Sequence, residues 1–389
     1  MMDLTDRNAK DYKPVHVLAI AGGHFIHDTY SAFVAPLLPL IIERLSLSLM
    51  LAGSLTLYLQ APSLLNPLIG YLDDRFNFRR LVALAPAITA SLMSCVGLVS
   101  SYWSLALLFL AAGCSIAMFH APAPAMIARV SGNRVGKGMS FFMAAGELGR
   151  TIGPLVAVWA VSVWTLDGIW RVALLGWIAS LILYLRIGGI SSAKHTRVPL
   201  SAFSTVAGRL FLPLMVILFA RGFLISSMSL YLPTFLKGQG STLLFAAGAL
   251  SIYELAGVVG ALSSGTLSDR LGRRPVLFVA MLSSSILMFL FVNVSGWYQI
   301  PILVALGMAS LSAQPVMLAI VQDILPDHRA LGSGVHLALS FITRPLAAMV
   351  IGALGDSLGL GTAIWWSAVI VFVSVPVVIL LPRPEIAQQ

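Results

Sequence analysis

The sequence predicts an all-α membrane protein, with twelve transmembrane helices in two pseudo-symmetric six-helix bundles. Three observations lead there. Of 389 residues, 58% are hydrophobic and only 10% are charged, against roughly 25% charged in soluble domains. Apolar runs recur at lengths that cross a bilayer. A charged loop motif returns at half the chain length.

A spanning helix needs about 20 mostly apolar residues, and it satisfies its backbone hydrogen bonds internally. The runs fall at 15–42, 49–72, 80–100, 103–129, 138–163 and 167–187 in the first half. They fall at 208–236, 242–267, 275–295, 298–323, 331–354 and 361–382 in the second. We number them spans 1 to 12. The expected organisation is a bundle over 1–187, a cytoplasmic linker over 188–207 and a second bundle over 208–389.

Lys and Arg set the orientation, because cytoplasmic loops carry an excess of them. Eighteen of the 24 basic residues fall on one side: the amino terminus, the even-to-odd loops, the central linker and the carboxyl end. The opposite loops hold only Arg44, Arg171 and Lys237. Both termini are therefore expected in the cytoplasm.

The net charge of +9 is accounted for by this topology, so no nucleic-acid partner is expected. Cys95 and Cys114 sit in apolar runs without a CxxC. No disulfide framework, metal site or cofactor is expected from spacing alone. The opening "MMDLTDRNAKDYKPVH" lacks the pattern of a cleaved signal peptide. No GxxxxGK[ST] loop is present, so nothing supports ATP as the driving force.

The repeat lies in two loops. "GYLDDRFNFRR" starts at Gly70 and "GTLSDRLGRRP" at Gly265. Asp74 and Asp269 are 195 residues apart, as are Arg75 and Arg270, and 195 is about half the chain. Arg150 in span 5 and Arg344 in span 11 are separated by 194. Parallel repeats about an axis along the membrane normal are a known transporter plan, with the substrate site between the halves.

The second loop resembles the G-x-x-x-D-R-x-G-R-R loop of the major facilitator superfamily, matching at Gly265, Asp269, Arg270, Gly272, Arg273 and Arg274. The first copy has Asn77 and Phe78 where Gly and a basic residue are usual. The resemblance implies the major facilitator fold and a conformational latch at Gly70, Asp74 and Arg75 and at the second-copy residues. In physical terms, an Asp at a helix end can pair with Arg or cap a neighbouring amino terminus.

Within span 5, "GELGRTIGP" resembles the core of the drug-antiporter motif at Gly149, Gly153 and Pro154. The usual Gly pair downstream is replaced by "LVAV". Glycines at this spacing also let helices pack closely, so the stretch reads either as motif or as packing. With "HFIHD", "PLLPLI" and "FHAPAPAMIARVSG", it resembles the fosmidomycin-resistance type of exporter. That resemblance highlights Asp28, Phe119, His120, Pro122, Gly149, Gly153 and Pro154. It implies export of small, anionic or amphipathic toxic compounds in exchange for protons.

Ionisable groups inside the bilayer cost about 2.5–3.5 kcal/mol each on insertion scales, and those that persist usually face a cavity or a partner. The spans hold Asp28, Glu147 and Glu254 against Arg150, Arg221 and Arg344. His24 and Asp28, four apart, share a helix face, while His27 lies about 100° round it. Asp28 is the first candidate for proton coupling, with Glu147, Glu254, His24 and His27 behind it. Arg150, Arg344 and Arg221 are candidates for binding an anionic substrate, since guanidinium matches carboxylate and phosphonate oxygens. Glu147 can instead pair with Arg150 three residues on, and Arg221 with Glu254. His120 and His336 read either as substrate ligands or as local caps. Phe25, Tyr30, Phe33, Phe142, Tyr231 and Tyr253 are candidate cavity walls.

The function expected is a proton-coupled antiporter in a bacterial inner membrane, a monomer exporting small molecules by alternating access. The alternative on the same fold is a proton-coupled importer or uniporter of an organic acid or nutrient. A membrane enzyme or non-transporting sensor is the remote alternative. HExxH is absent, and the longest polar connector is about 20 residues.

Overall fold

The computed structural model describes residues 12–66, 68, 69, 72, 78–187, 204–325 and 329–382, with the backbone alone at 204–209 and 329–331. Every regular element among them is helical, as the apolar runs require. Ten stretches are long and apolar enough to cross a membrane, and Leu49–Leu65 is a shorter apolar helix in the place of span 2. One stretch, Gly132–Arg186, contains spans 5 and 6. Its helix Val135–Gly168 is broken where Thr165 takes φ 59°, and a 3-10 turn at Ile169–Val172 leads into Ala173–Arg186. The twelve expected spans are thus all found.

Their interiors are less regular than the apolar runs suggest. Span 1 is two helices, Pro14–Ser31 and Val34–Leu45. Pro36 has no N–H for the fourth residue back, so the ladder breaks at Ala32. Span 7 runs as helix over Ser204–Ile225, passes through a π-turn at Ser226–Leu230 and resumes over Leu232–Gly238. It therefore starts before the expected residue 208 and is not one continuous helix.

The described chain divides into two compact units, Met1–Ile41 with Tyr58–Thr196, and Ile42–Leu57 with Arg197–Gln389. In the first unit, span 1 packs on span 5, and span 3 on span 6. Its buried core includes Val17, Ile20, Val82, Phe119, Ile127 and Phe142. Small residues let the backbones approach. Gly176 of span 6, for instance, lies against Ala90 and the Pro86 carbonyl of span 3.

In the second unit, span 8 packs on span 10 and span 7 on span 11. Gly260 faces the Met308 backbone, and Gly307 faces the Tyr253 carbonyl. Residues 42–57, early in sequence, belong here. Asp356 accepts hydrogen bonds from the backbone N–H of Leu49 (2.7 Å) and Met50 (3.0 Å), capping the helix that begins there. Tyr231 donates to the carbonyls of Leu49 (2.8 Å) and Ala348 (2.9 Å). Gly53 and Gly352 sit where a side chain would strike the opposing backbone.

Candidate functional site

Helical register builds the first cluster. His24 and Asp28 share one face of span 1 and are 4% and 3% exposed. That face lies on span 5 because span 5 presents glycine. A Cβ on Gly146 would strike the His24 ring, on Gly149 the Phe25 carbonyl and on Gly153 the Thr29 carbonyl. These residues therefore act in close packing here, whatever else the motif does. Pro154 is buried beside them.

Span 4 supplies the third member. Its helix Tyr102–His120 stops before Pro122 and restarts at Ala123. Pro124 has no N–H to give the His120 carbonyl, so the chain turns and His120 projects from the helix end. Its Nε2 lies 3.1 Å from Asp28 Oδ1, and His24 Nε2 lies 3.4 Å from Oδ2. His24 Nδ1 donates to the Phe142 carbonyl at 2.8 Å, and its ring stacks on Phe142 with centroids 4.0 Å apart. His27 turns aside. It is fully buried, stacks on Phe119 at 4.5 Å, and neither ring nitrogen has a hydrogen-bond partner.

Asp28 is thus a carboxylate held between two imidazoles in an aromatic pocket. Such groups can exchange a proton over hydrogen-bond distances. His24, Asp28 and His120 also form a group whose ligand atoms lie within 4.8 Å of one another. Spacing along the sequence does not reveal this group, because His120 arrives from another span.

The other first-unit candidates separate by role. Glu147 and Arg150 form an ion pair along span 5, with side chains 26% and 44% exposed. Tyr30 is buried and donates to the Val172 carbonyl, so its hydroxyl is committed to the fold. Phe142 is a wall of the histidine pocket, and Phe25 is half-buried at the span 5 contact.

A second cluster lies in the second unit. Arg221 is 6% exposed, and its Nε has no hydrogen-bond partner. It lies within electrostatic range of Arg344, Tyr253 and His336. The Glu254 carboxylate accepts from Ser229 at 2.7 Å. Ser226, on the same π-turn, donates to the Arg344 carbonyl at 2.9 Å. The Tyr253 hydroxyl pairs with Ser310 at 2.7 Å, and Gln314 lies 3.2 Å from His336 Nε2. Ser226, Ser229, Ser310 and Gln314 escaped the sequence reading, which weighed charged, imidazole and aromatic groups. The run "SSMS" inside an apolar span was the signal for Ser226 and Ser229.

The loop motif between spans 8 and 9 is well formed. Gly272 takes φ +91° between the two helices, a region that disfavours any side chain. Arg273 pairs with Asp269 (2.5 Å), and its Nε donates to Asp323 of span 10 (3.0 Å). Its Nη1 also donates to Ser268 at 2.7 Å. Asp269 and Arg270 are exposed, Gly265 has open space around it, and Arg274 is half-buried. Gly70, Asp74 and Arg75 of the first copy lie outside the described residues, as does most of the linker.

Comparison with known proteins agrees with this arrangement. The Major Facilitator Superfamily profile matches residues 20–299 and 247–389. The chain is 25% identical over 352 residues to the fosmidomycin resistance protein of Escherichia coli (strain K12), covering 87% of this chain and 86% of that one. It is 28% identical over 342 residues to the multidrug resistance protein MdtG of Dickeya zeae (strain Ech586), covering 82% and 81%. Among solved structures, a bacterial homolog of the human lysosomal transporter Spinster, inward-facing and occupied, superposes with a TM-score of 0.82 at 16% identity. That match covers 95% of this chain and 97% of the other. A D-xylose-proton symporter superposes with a TM-score of 0.75 at 16% identity, over 96% and 99%. Twelve apolar spans, the loop motif and a profile covering nearly the whole chain lead to one conclusion: this integral membrane protein belongs to the major facilitator superfamily and is a transporter resembling its fosmidomycin-resistance type.

Proposed function

We propose that the protein is a proton-coupled antiporter that exports small toxic, anionic or amphipathic compounds by alternating access. One observation carries the reading: Asp28, 3% exposed in a spanning helix, with imidazole nitrogens 3.1 and 3.4 Å from its two oxygens. Burial makes a fixed charge expensive, and neighbouring imidazoles make a shared proton the cheapest compensation. Asp28 takes the proton from one side and gives it up on the other, with His24 and His120 as its relay. Glu254 and Glu147 are secondary carriers. In the second unit Arg221 and Arg344 supply positive charge for an anionic substrate beside Tyr253, and in the first unit Arg150 and Phe142 are the further candidates. The Asp269–Arg273 brace holds one packing, and the first copy, with Phe78 in the place of Arg273, keeps Asp74 and Arg75 as its latch residues. The protein works as a monomer in a bacterial inner membrane, with both termini cytoplasmic and bundles at 1–187 and 208–389.

The names of the two relatives, both resistance proteins, support export. The symporter's likeness is one of fold and leaves direction to experiment. The importer or uniporter reading predicts growth on a carbon source rather than resistance. The test is pH-driven uptake into everted vesicles across a compound panel, with and without a collapsed gradient. Wild type accumulates its substrate only with the gradient, and Asp28→Asn folds but does not accumulate it. Normal accumulation by Asp28→Asn refutes the proton role.

A further inference from the structure

We propose that His24, Asp28 and His120 form a binding site for a divalent first-row transition-metal cation, of which zinc is the reference ion. The argument begins with the hydrogen positions. A carbonyl oxygen only accepts, so the 2.8 Å contact to Phe142 places a hydrogen on His24 Nδ1. In the neutral ring the Nε2 lone pair then points at Asp28 Oδ2, 3.4 Å away. A lone pair facing an anionic oxygen calls for a cation between them. Nε2 of His24 and Oδ1 of Asp28 are both buried without a hydrogen-bond partner.

The spacing fits a metal. Ligands about 2.0–2.1 Å from zinc at tetrahedral angles stand about 3.3 Å apart. His120 Nε2 stands 3.1 Å from Asp28 Oδ1 and His24 Nε2 3.4 Å from Oδ2, so each imidazole meets its own carboxylate oxygen, and one ligand atom from each residue lies within 4.8 Å of the others. The Phe142 carbonyl on the far nitrogen of His24 is the outer partner that metal-bound histidines usually have, fixing tautomer and ring plane. Two imidazoles and one carboxylate suit zinc, nickel, cobalt or copper, whereas magnesium and calcium prefer all-oxygen sites. Phe119 and Phe142 wall the pocket. The His120 side chain, 33% exposed, marks the open side, where a fourth position is left for water or an anionic ligand.

The proposal concerns equilibrium binding and needs neither a gradient nor a transport direction. The test uses the full-length protein, tag removed and metal-stripped, in lipid nanodiscs. Cobalt(II) and zinc are titrated, with bound metal measured by mass spectrometry and cobalt coordination by its visible spectrum. One cation per chain is expected, undisplaced by excess magnesium or calcium. His120→Ala should weaken binding at least about tenfold, since even outer-partner losses cost 10–100-fold. His120→Cys should retain binding and add a cobalt–thiolate band. Wild type without stoichiometric binding overturns the proposal, as does unchanged affinity in His120→Ala. If His120→Ala does not fold, His120→Cys decides: a folded protein without the thiolate band overturns the site. A failure here leaves proton coupling standing, and a transport-competent Asp28→Asn leaves metal binding to be judged by these titrations alone.

Discussion

The two buried polar clusters differ in chemistry more than in position along the repeat. In the first unit a carboxylate sits between two imidazoles. In the second, two guanidiniums, which stay charged, share their surroundings with Glu254, Tyr253 and His336. Hydroxyls from a π-turn brace that second cluster at Arg344 and Glu254. A duplicated scaffold has thus diverged into a half suited to gaining and losing a cation and a half suited to holding an anion. The Arg150–Arg344 correspondence, conspicuous in sequence, hides this, because Arg150 is paired with Glu147 on its own helix.

The sharpest way to break the comparison is Asp28→Asn. It should cut gradient-driven transport by about 100-fold or more, the scale on which a proton-transfer group acts, while leaving substrate binding in detergent near wild type. A variant that loses both equally places substrate recognition in the first cluster and erases the contrast. Next is Gly149→Ala, whose added methyl meets the Phe25 carbonyl. Overpacking of this kind costs about 1–3 kcal/mol, measurable as a lower unfolding temperature in detergent, together with loosened His24–Asp28 geometry. Unchanged stability would mean that span 5 can retreat and that the glycine row does not seat the cluster.

Arg344→Gln should weaken binding of anionic compounds by about tenfold, some 1.4 kcal/mol, and spare uncharged ones. Equal losses for both classes would show that the guanidinium holds structure rather than substrate. The smallest effect is expected from Ser229→Ala, which removes one hydrogen bond from Glu254, worth about 1 kcal/mol. It should lower stability slightly and shift the pH dependence of transport by a small amount, and an unmoved pH profile would remove Glu254 from proton handling.

The span count and the repeat were legible because both follow from what lipid demands: length, apolarity and charge at the ends. The meeting of His120 with Asp28 was not, since 92 residues separate them and the helix break at "FHAPAPA" says where a chain turns but not toward what. The glycines of span 5 left two readings open, motif and packing. The structure supplies the packing contacts and leaves the motif role to transport measurements. The π-turn in span 7 carries neither proline nor an interior glycine, and Pro233 just beyond it marks a break without saying of which kind. Hydropathy also gave no hint that residues 42–57 pack with the second unit, because one apolar helix face looks like another until its partner is known.

That last feature bears on how the protein is made. The Leu49 amide bonds to Asp356, 307 residues later in the chain. At about 5–20 residues per second of synthesis, the ribosome needs on the order of 15–60 s to deliver the partner. For that interval the early helix waits in the bilayer without its Asp356 cap, and for nearly as long without close-fitting Gly352. A nascent chain halted before span 11 should therefore expose residues 42–57 to protease or cross-linker, and release of the complete chain should protect them.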